Sequence, residues 1–157
     1  MVKVLFVCLG NICRSPMAEG IFQEIVSQKG YSGHISCDSA ATSNYHIGSD
    51  PDERAEKTCS LHGFSLNHKG KQLKRAHFDE FDYIIAMDSS NFNNIKALGP
   101  IPEGCRVLMM RDFDPEKNSI DVPDPYYGGM SGFEEVYKML WRSGERFLSF
   151  LIKEHQL

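Results

Sequence analysis

The run Val2-Lys3-Val4-Leu5-Phe6-Val7 passes directly into Cys-Leu-Gly-Asn-Ile-Cys-Arg-Ser-Pro, and this junction restricts the fold more than any other stretch of the chain. The apolar, β-branched run predicts a strand. Gly10 and Asn11 tolerate a positive φ and predict a tight loop after it. Ser15 and Pro16 then predict a helix start, with Ser15 as N-cap and Pro16 at the first helical position. Strand, tight loop and helix in that order fit a parallel sheet wrapped by helices. There Cys8 faces a ring of backbone N–H groups and the positive end of a helix, an anion cradle with a nucleophile at its floor.

The rest of the chain repeats the alternation. The first helix carries an apolar stripe at helical spacing, from Met17 and Ala18 through Ile21 and Phe22 to Ile25 and Val26, and is expected to stop near Gly30. Residues 34–42 predict a second strand. Asp50-Pro51-Asp52-Glu53 predicts a helix start with Asp50 as N-cap, and that helix ends near Gly63. Residues 83–87 predict a buried strand, then a helix capped by Asp88 or Ser89 with Phe92, Ile95 and Leu98 inward, stopped by Gly99-Pro100. Residues 107–110 supply a fourth strand. A long loop to about Gly129 leads into an amphipathic helix whose inner face is Phe133, Val136, Tyr137, Leu140, Trp141, Phe147, Leu148, Leu151 and Ile152. The expected architecture is a three-layer α/β sandwich, a four-stranded parallel sheet with helices on both faces. Such sheets bind ligands at the carboxyl ends of strands, where strand order reverses, and the Cys8 loop begins at such an end.

At 157 residues the chain is expected to form one domain, residues 1–157, with a core that needs no metal or disulfide staple. Five cysteines without a Cys-x2-Cys pair argue against a disulfide framework or structural zinc, and for reduced thiols. No apolar run approaches the roughly 20 residues of a membrane span, and the N-terminus does not resemble a signal peptide, so a cytoplasmic protein without membrane contact is expected. A net charge of −4 and no basic stripe argue against nucleic acid. Lys69, Lys71, Lys74 and Arg75 are expected to form a solvated face. The histidines at 34, 46, 62, 77 and 155 show no metal-ligand spacing.

Arg14 offers a planar fork for two phosphoryl oxygens, a geometry that lysine lacks. Helix N-termini and nearby cations favour the thiolate form of a cysteine, which is the nucleophile. Asp124 lies between Pro123 and Pro125, which restrict the backbone on both sides, and is a candidate general acid. On the residues alone Asp-Pro is a common turn, and Asp88, Asp112, Asp114 and Asp121 compete for the role.

The fuller string from Val7 to Pro16, together with Val-Pro-Asp-Pro-Tyr-Tyr-Gly-Gly from Val122 to Gly129, resembles the low-molecular-weight protein tyrosine phosphatases. The resemblance spans almost the whole chain. It implies metal-independent, cofactor-free hydrolysis of phosphotyrosine and aryl phosphate monoesters through a phosphocysteine intermediate. Phosphotyrosine-containing proteins are the implied substrates, inorganic phosphate the product and inhibitor, and a monomer or weak dimer the expected state. Cys8 is the implied nucleophile, Arg14 the phosphate clamp and Asp124 the general acid and base. Leu9, Gly10, Asn11, Ile12, Cys13 and Arg14 are implied to hold the phosphate. Asn11, Ser15 and His68 are implied to brace the loop, with Ser15 also assisting Cys8. Tyr45 and Tyr126 match aromatic cleft walls, although the family often has tryptophan at the first. Cys13 matches a redox partner, which implies a reversible Cys8–Cys13 disulfide after peroxide. Tyr126 and Tyr127 resemble sites phosphorylated in some animal members.

Three rivals remain. Arsenate reductases share the loop and fold but relay oxidation through further cysteines, and residues 60–104 contain none. Phosphoarginine phosphatases tend to carry threonine where this chain has Ile12, and phenylalanine in place of Tyr126-Tyr127. A phosphate-binding module would have no use for a nucleophile and an acid together.

Overall fold

The computed structural model describes residues 1–157. Its elements are β1 (Val2–Cys8), α1 (Arg14–Gln28), β2 (Ile35–Ala41), α2 (Glu53–Leu61), the single-turn α3 (His77–Glu80), β3 (Tyr83–Ala86), α4 (Ser89–Lys96), β4 (Arg106–Met109) and α5 (Met130–His155). A 3-10 turn, Met110–Phe113, follows β4. The strands form one all-parallel sheet in the order β2-β1-β3-β4, with Val4 opposite both Cys37 and Tyr83. The expected fold class is the one observed. No helix is long and apolar enough to cross a membrane.

The central strand shows why the sheet needs two covers. Val4, Phe6 and Cys8 point to the side packed by α1, α2 and α5, whereas Leu5 and Val7 point to the side packed by α3 and α4. This is the period-two alternation of a strand, apolar on both faces because both are buried. The larger core centres on Phe147 of α5, whose ring lies 5.2 Å from Phe22 and 6.4 Å from Phe6. Aromatic pairs of this kind add about 0.5–1.5 kcal/mol each beyond their buried area. On α5 seven of the expected inward residues are buried, and Trp141 and Ile152 are half-buried at its margins.

Chain order places the reversal at β1. Its neighbours are β2 on one side and β3 on the other, so the loops leaving β1 and β3 part company there. The crevice between them, at the carboxyl ends, is the ligand position that open α/β sheets provide.

Two helix starts differ from expectation for physical reasons, and two short elements had no expectation at all. The first helix starts at Arg14, with Cys13 as N-cap and no side-chain cap bond. Ser15 is therefore inside the first turn, where its hydroxyl is fully buried and turned toward Cys8. The second helix is capped by Asp52 rather than Asp50, because Asp52 accepts from the Arg54 N–H at 2.9 Å while its own N–H donates to the Ile12 carbonyl at 2.8 Å. Finally, α3 and the 3-10 turn are too short to leave a periodic signal. Asp88 does cap α4, accepting from Asn91 N–H at 2.7 Å.

Candidate active site

The loop between β1 and α1 is held from outside by its carbonyls. Thr42 N–H donates to the Cys8 carbonyl (2.9 Å), Ser43 N–H to Leu9 (3.0 Å) and Asp52 N–H to Ile12 (2.8 Å). The N–H groups of Gly10, Ile12 and Cys13 donate to no protein atom and remain for an anion. Of the two residues expected at positive φ, only Asn11 adopts it, at 58°. Gly10 serves a different need: a Cβ there would lie 3.1 Å from His46 Cδ2, so the missing side chain makes room for the imidazole.

Cys8 Sγ accepts from Asn11 N–H at 3.3 Å and lies 3.0 Å from Ser15 Oγ. That contact sits inside a buried hydrogen-bond network. Lys71 N–H donates to Asn11 Oδ1 at 3.1 Å, which fixes the amide orientation. Asn11 Nδ2 then donates to Ser15 Oγ (2.8 Å) and to Ser39 Oγ (3.0 Å). The Ser15 O–H has two acceptors in reach, Cys8 Sγ at 3.0 Å and the Ala40 carbonyl at 3.5 Å. His68 Nε2 faces Asn11 Oδ1 at 2.6 Å and His68 Nδ1 faces Glu19 Oε1 at 3.1 Å, so each ring nitrogen has an acceptor. Asn11, Ser15 and His68 thus converge as one network, to which the structure adds Ser39 and the buried Glu19, joined at 2.6 Å.

Arg14 is 2% exposed, and its fork is held by groups far away in sequence. Nη1 donates to Asp88 Oδ2 at 2.6 Å and to the Val122 carbonyl at 2.9 Å, while Nη2 lies 3.6 Å from Asp124 Oδ2. Burial opposes the Arg14 charge, but Cys8, Asp88 and Asp124 together raise its pKa above the ordinary value. Asp88 therefore caps α4 with one oxygen and holds Arg14 with the other. The chain offers Asp88 or Ser89 as the cap; the second task of Asp88 carries no local signal.

Asp124 is brought to the same place by a loop anchored just before it. Val122 N–H donates to the Met87 carbonyl at 2.7 Å, and buried Arg111 donates to the Asp121 carbonyl at 3.1 Å. Within the loop, Tyr126 N–H donates to Asp124 Oδ1 at 3.0 Å. Asp121 faces away, accepting from Ser89 N–H and hydroxyl, and Asp114 is buried against Arg142 and Arg111. Of the competing aspartates only Asp88 reaches the cleft's clamp, and it is engaged there as a partner of Arg14.

Cys8, Arg14 and Asp124 line one cleft of about 260 Å³. Leu9, Gly10, Ile12, Cys13, Tyr45 and Tyr126 also line it, with His46 and Tyr127, whereas Asn11, expected among the phosphate contacts, lies outside the lining with its N–H directed to Cys8 Sγ. Tyr127 was legible as half of the Tyr126-Tyr127 pair; His46 had no distinguishing signal. Burial, then Asp52 and Cys8, push the Cys13 thiol far up, so it is a neutral thiol beside Cys8. All five cysteines are free. Glu19, Asp38 and His68 bring ligand atoms within 4.8 Å of one another, but these atoms already serve the Asn11 network and Lys71. Of the basic cluster, Lys69 pairs with Asp50 and Lys71 with Asp38, whereas Lys74 and Arg75 form no ion pair.

Fold and cleft define an α/β protein that presents a cysteine beneath an anion cradle at the carboxyl end of the central strand. The family profile described as low molecular weight phosphotyrosine protein phosphatase matches residues 3–157. A protein of that name from Saccharomyces cerevisiae is 43% identical over 150 residues, 94% of this chain and 93% of its own. A crystal structure of a protein tyrosine phosphatase from Entamoeba histolytica covers 100% of both chains at 35% identity and TM-score 0.92. One of a drosophila arginine phosphatase covers 95% of this chain and 97% of its own, at 36% identity and TM-score 0.89. The chain belongs to the low molecular weight phosphotyrosine protein phosphatase family.

Proposed function

We propose that residues 1–157 act as one phosphatase domain that hydrolyses phosphotyrosine and other aryl phosphate monoesters through a phosphocysteine intermediate, without a metal. The observation that carries this reading is the convergence of Cys8, Arg14 and Asp124 on one aromatic-walled cleft, with Arg14 and Asp124 3.6 Å apart. The free loop N–H groups and the Arg14 fork receive the three non-bridging phosphoryl oxygens and the charge they carry in the transition state. Cys8 sulfur attacks phosphorus in line; the S–P bond forms as the P–O bond to the phenol breaks. Asp124 gives its proton to the departing phenolate oxygen. In the second step Asp124 takes a proton from water, the water oxygen attacks phosphorus, the S–P bond breaks and inorganic phosphate leaves. The Ser15 hydroxyl, 3.0 Å from sulfur, supports the thiolate as leaving group. The walls suit a flat ring, with Tyr45 and Tyr126 able to stack on a phenyl group.

The likeness to an arginine phosphatase supports a second substrate, phosphoarginine, at the same cradle. Ile12 and Tyr126, apolar and aromatic in the cleft, favour the aryl ester. Single-turnover hydrolysis of para-nitrophenyl phosphate and of phosphoarginine, with EDTA present, separates these readings. Wild type gives a burst of nitrophenol, Cys8→Ser is silent, and Asp124→Ala loses roughly 10²–10⁴-fold. Normal turnover by Cys8→Ser would leave the cradle a binding site only. A faster reaction with phosphoarginine would transfer the assignment to that phosphoramidate.

A further inference from the structure

We infer that Arg54 is a positioning residue for the acid step, a strut that ties the loop bearing Asp124 to the start of α2. The inference rests on the reading of Asp124 as general acid. Arg54 is the second residue of α2, yet its guanidinium spans three partners. Nε and Nη2 each lie 3.0 Å from one oxygen of Asp52, a fork-to-fork pair. Nη2 also donates to the Tyr126 carbonyl at 2.8 Å, and Nη1 to the Gly128 carbonyl at 2.9 Å. The cation lies 4.7 Å from the Phe133 ring centroid and 5.5 Å from that of Tyr126.

Tyr126 is the link. Its N–H holds Asp124 Oδ1 at 3.0 Å and its carbonyl is held by Arg54, so the orientation of the acid passes through one residue to the guanidinium. Asp52, the other end of the strut, donates its N–H to the Ile12 carbonyl in the phosphate loop. The Asp52–Arg54 pair therefore fixes the separation between the loop that holds the phosphate and the loop that carries the proton. The acid loop needs such a support: Asp124 is 39% exposed at its side chain and Tyr127 is 91% exposed. Lysine at position 54 retains the charge but has no planar fork to bridge a carboxylate and two carbonyls.

The test measures kcat/KM over a series of aryl phosphates of rising phenol pKa, for wild type, Arg54→Lys, Arg54→Met, Asp124→Ala and the double variant Arg54→Met with Asp124→Ala. Both Arg54 variants are expected to lose roughly 10–100-fold with phenyl phosphate and progressively less with more acidic phenols, since displaced acid matters most where the leaving group most needs a proton. Inhibition by inorganic phosphate should stay within about twofold of wild type, because the cradle is intact. In the Asp124→Ala background, Arg54→Met should cost less than about twofold, the non-additivity of two residues acting through one group. A loss uniform across leaving groups, weakened phosphate inhibition, or an undiminished effect in the Asp124→Ala background would each make Arg54 a merely structural residue and overturn the inference. An Asp124→Ala protein of wild-type rate would instead overturn the acid reading itself.

Discussion

Replacing Asp88 separates the two tasks its carboxylate performs. One oxygen caps α4 at 2.7 Å from Asn91 N–H, and the other accepts from Arg14 at 2.6 Å. Loss of an N-cap costs about 0.5–2 kcal/mol. Loss of a hydrogen bond to a charged partner costs about 1.5–3 kcal/mol, so Asp88→Ala should lower unfolding stability by about 2–5 kcal/mol in urea titration. Activity should fall further than stability explains. Arg14 would keep the Val122 carbonyl but lose its main lateral support, and a misaimed fork should reduce kcat/KM by roughly 10–100-fold at temperatures where the protein is fully folded. Asp88→Asn sharpens the result. Its single carbonyl oxygen can cap α4 or accept from Arg14 but not both, so with the cap retained its amide hydrogens oppose the guanidinium. It should recover only the share of the stability that the cap supplies, about 0.5–2 kcal/mol, and little of the activity. If Asp88→Ala loses the expected stability while kcat/KM stays within threefold of wild type, Arg14 needs no holder and the reasoning fails.

Burial pushes the Cys59 thiol up to about 12 and the Cys105 thiol up to about 11, and it raises Cys13 and Cys37 as well. Iodoacetate at pH 7 should therefore label Cys8 alone and be slowed by inorganic phosphate; peptide mapping that finds Cys13 or Cys37 modified first contradicts this. Burial raises the Asp114 carboxyl, but Arg142, the Glu116 N–H and Arg111 overcome it and hold its pKa below the ordinary value. A lowered folded pKa means stabilisation fully present above the unfolded value and lost as pH falls through the folded one. Asp114→Asn should accordingly cost about 3–5 kcal/mol at pH 7 by leaving two arginines short of a partner, and less at acid pH, in denaturant titrations at both; an equal cost at both would refute the charge argument. A Cβ on Gly70 would overlap the His46 carbonyl oxygen, so Gly70→Ala should destabilise by about 1–3 kcal/mol and raise KM by moving the wall that carries Tyr45 and His46. An unchanged KM would show that this wall does not contact substrate.

Much of this fold was legible because its signals are local. A strand apolar on both faces, a loop with Asn11 in it and a striped helix are each written within one stretch of chain, and they led to the parallel sheet and to the Cys8 cradle. Where sequence pattern and structure differ, a distant partner overrides a local preference. Ser15 has the chemistry of an N-cap, but its hydroxyl is used by Asn11 and Cys8, and the helix starts two residues earlier than expected, at Arg14. Asp50-Pro51 has the pattern of a helix start, but the Asp52 N–H is held by Ile12, which draws the cap two residues on. Gly10 suited a positive φ and was needed for space beside His46.

The chain by itself determined the order of strand, loop and helix and the spacing of Cys8 from Arg14, since neighbouring residues and backbone sterics suffice for both. It also supplied Asp124 as a candidate, although among several aspartates. Only the tertiary structure decided which aspartate faces the cleft and what holds Arg14, whose partner Asp88 is 74 residues away. It alone brought Arg54 to the Tyr126 and Gly128 carbonyls, 72 and 74 residues on. The physical reason is the same in each case: periodicity and capping record what a residue does for its own element. A charge-assisted bond between elements depends on how the sheet and its helices pack.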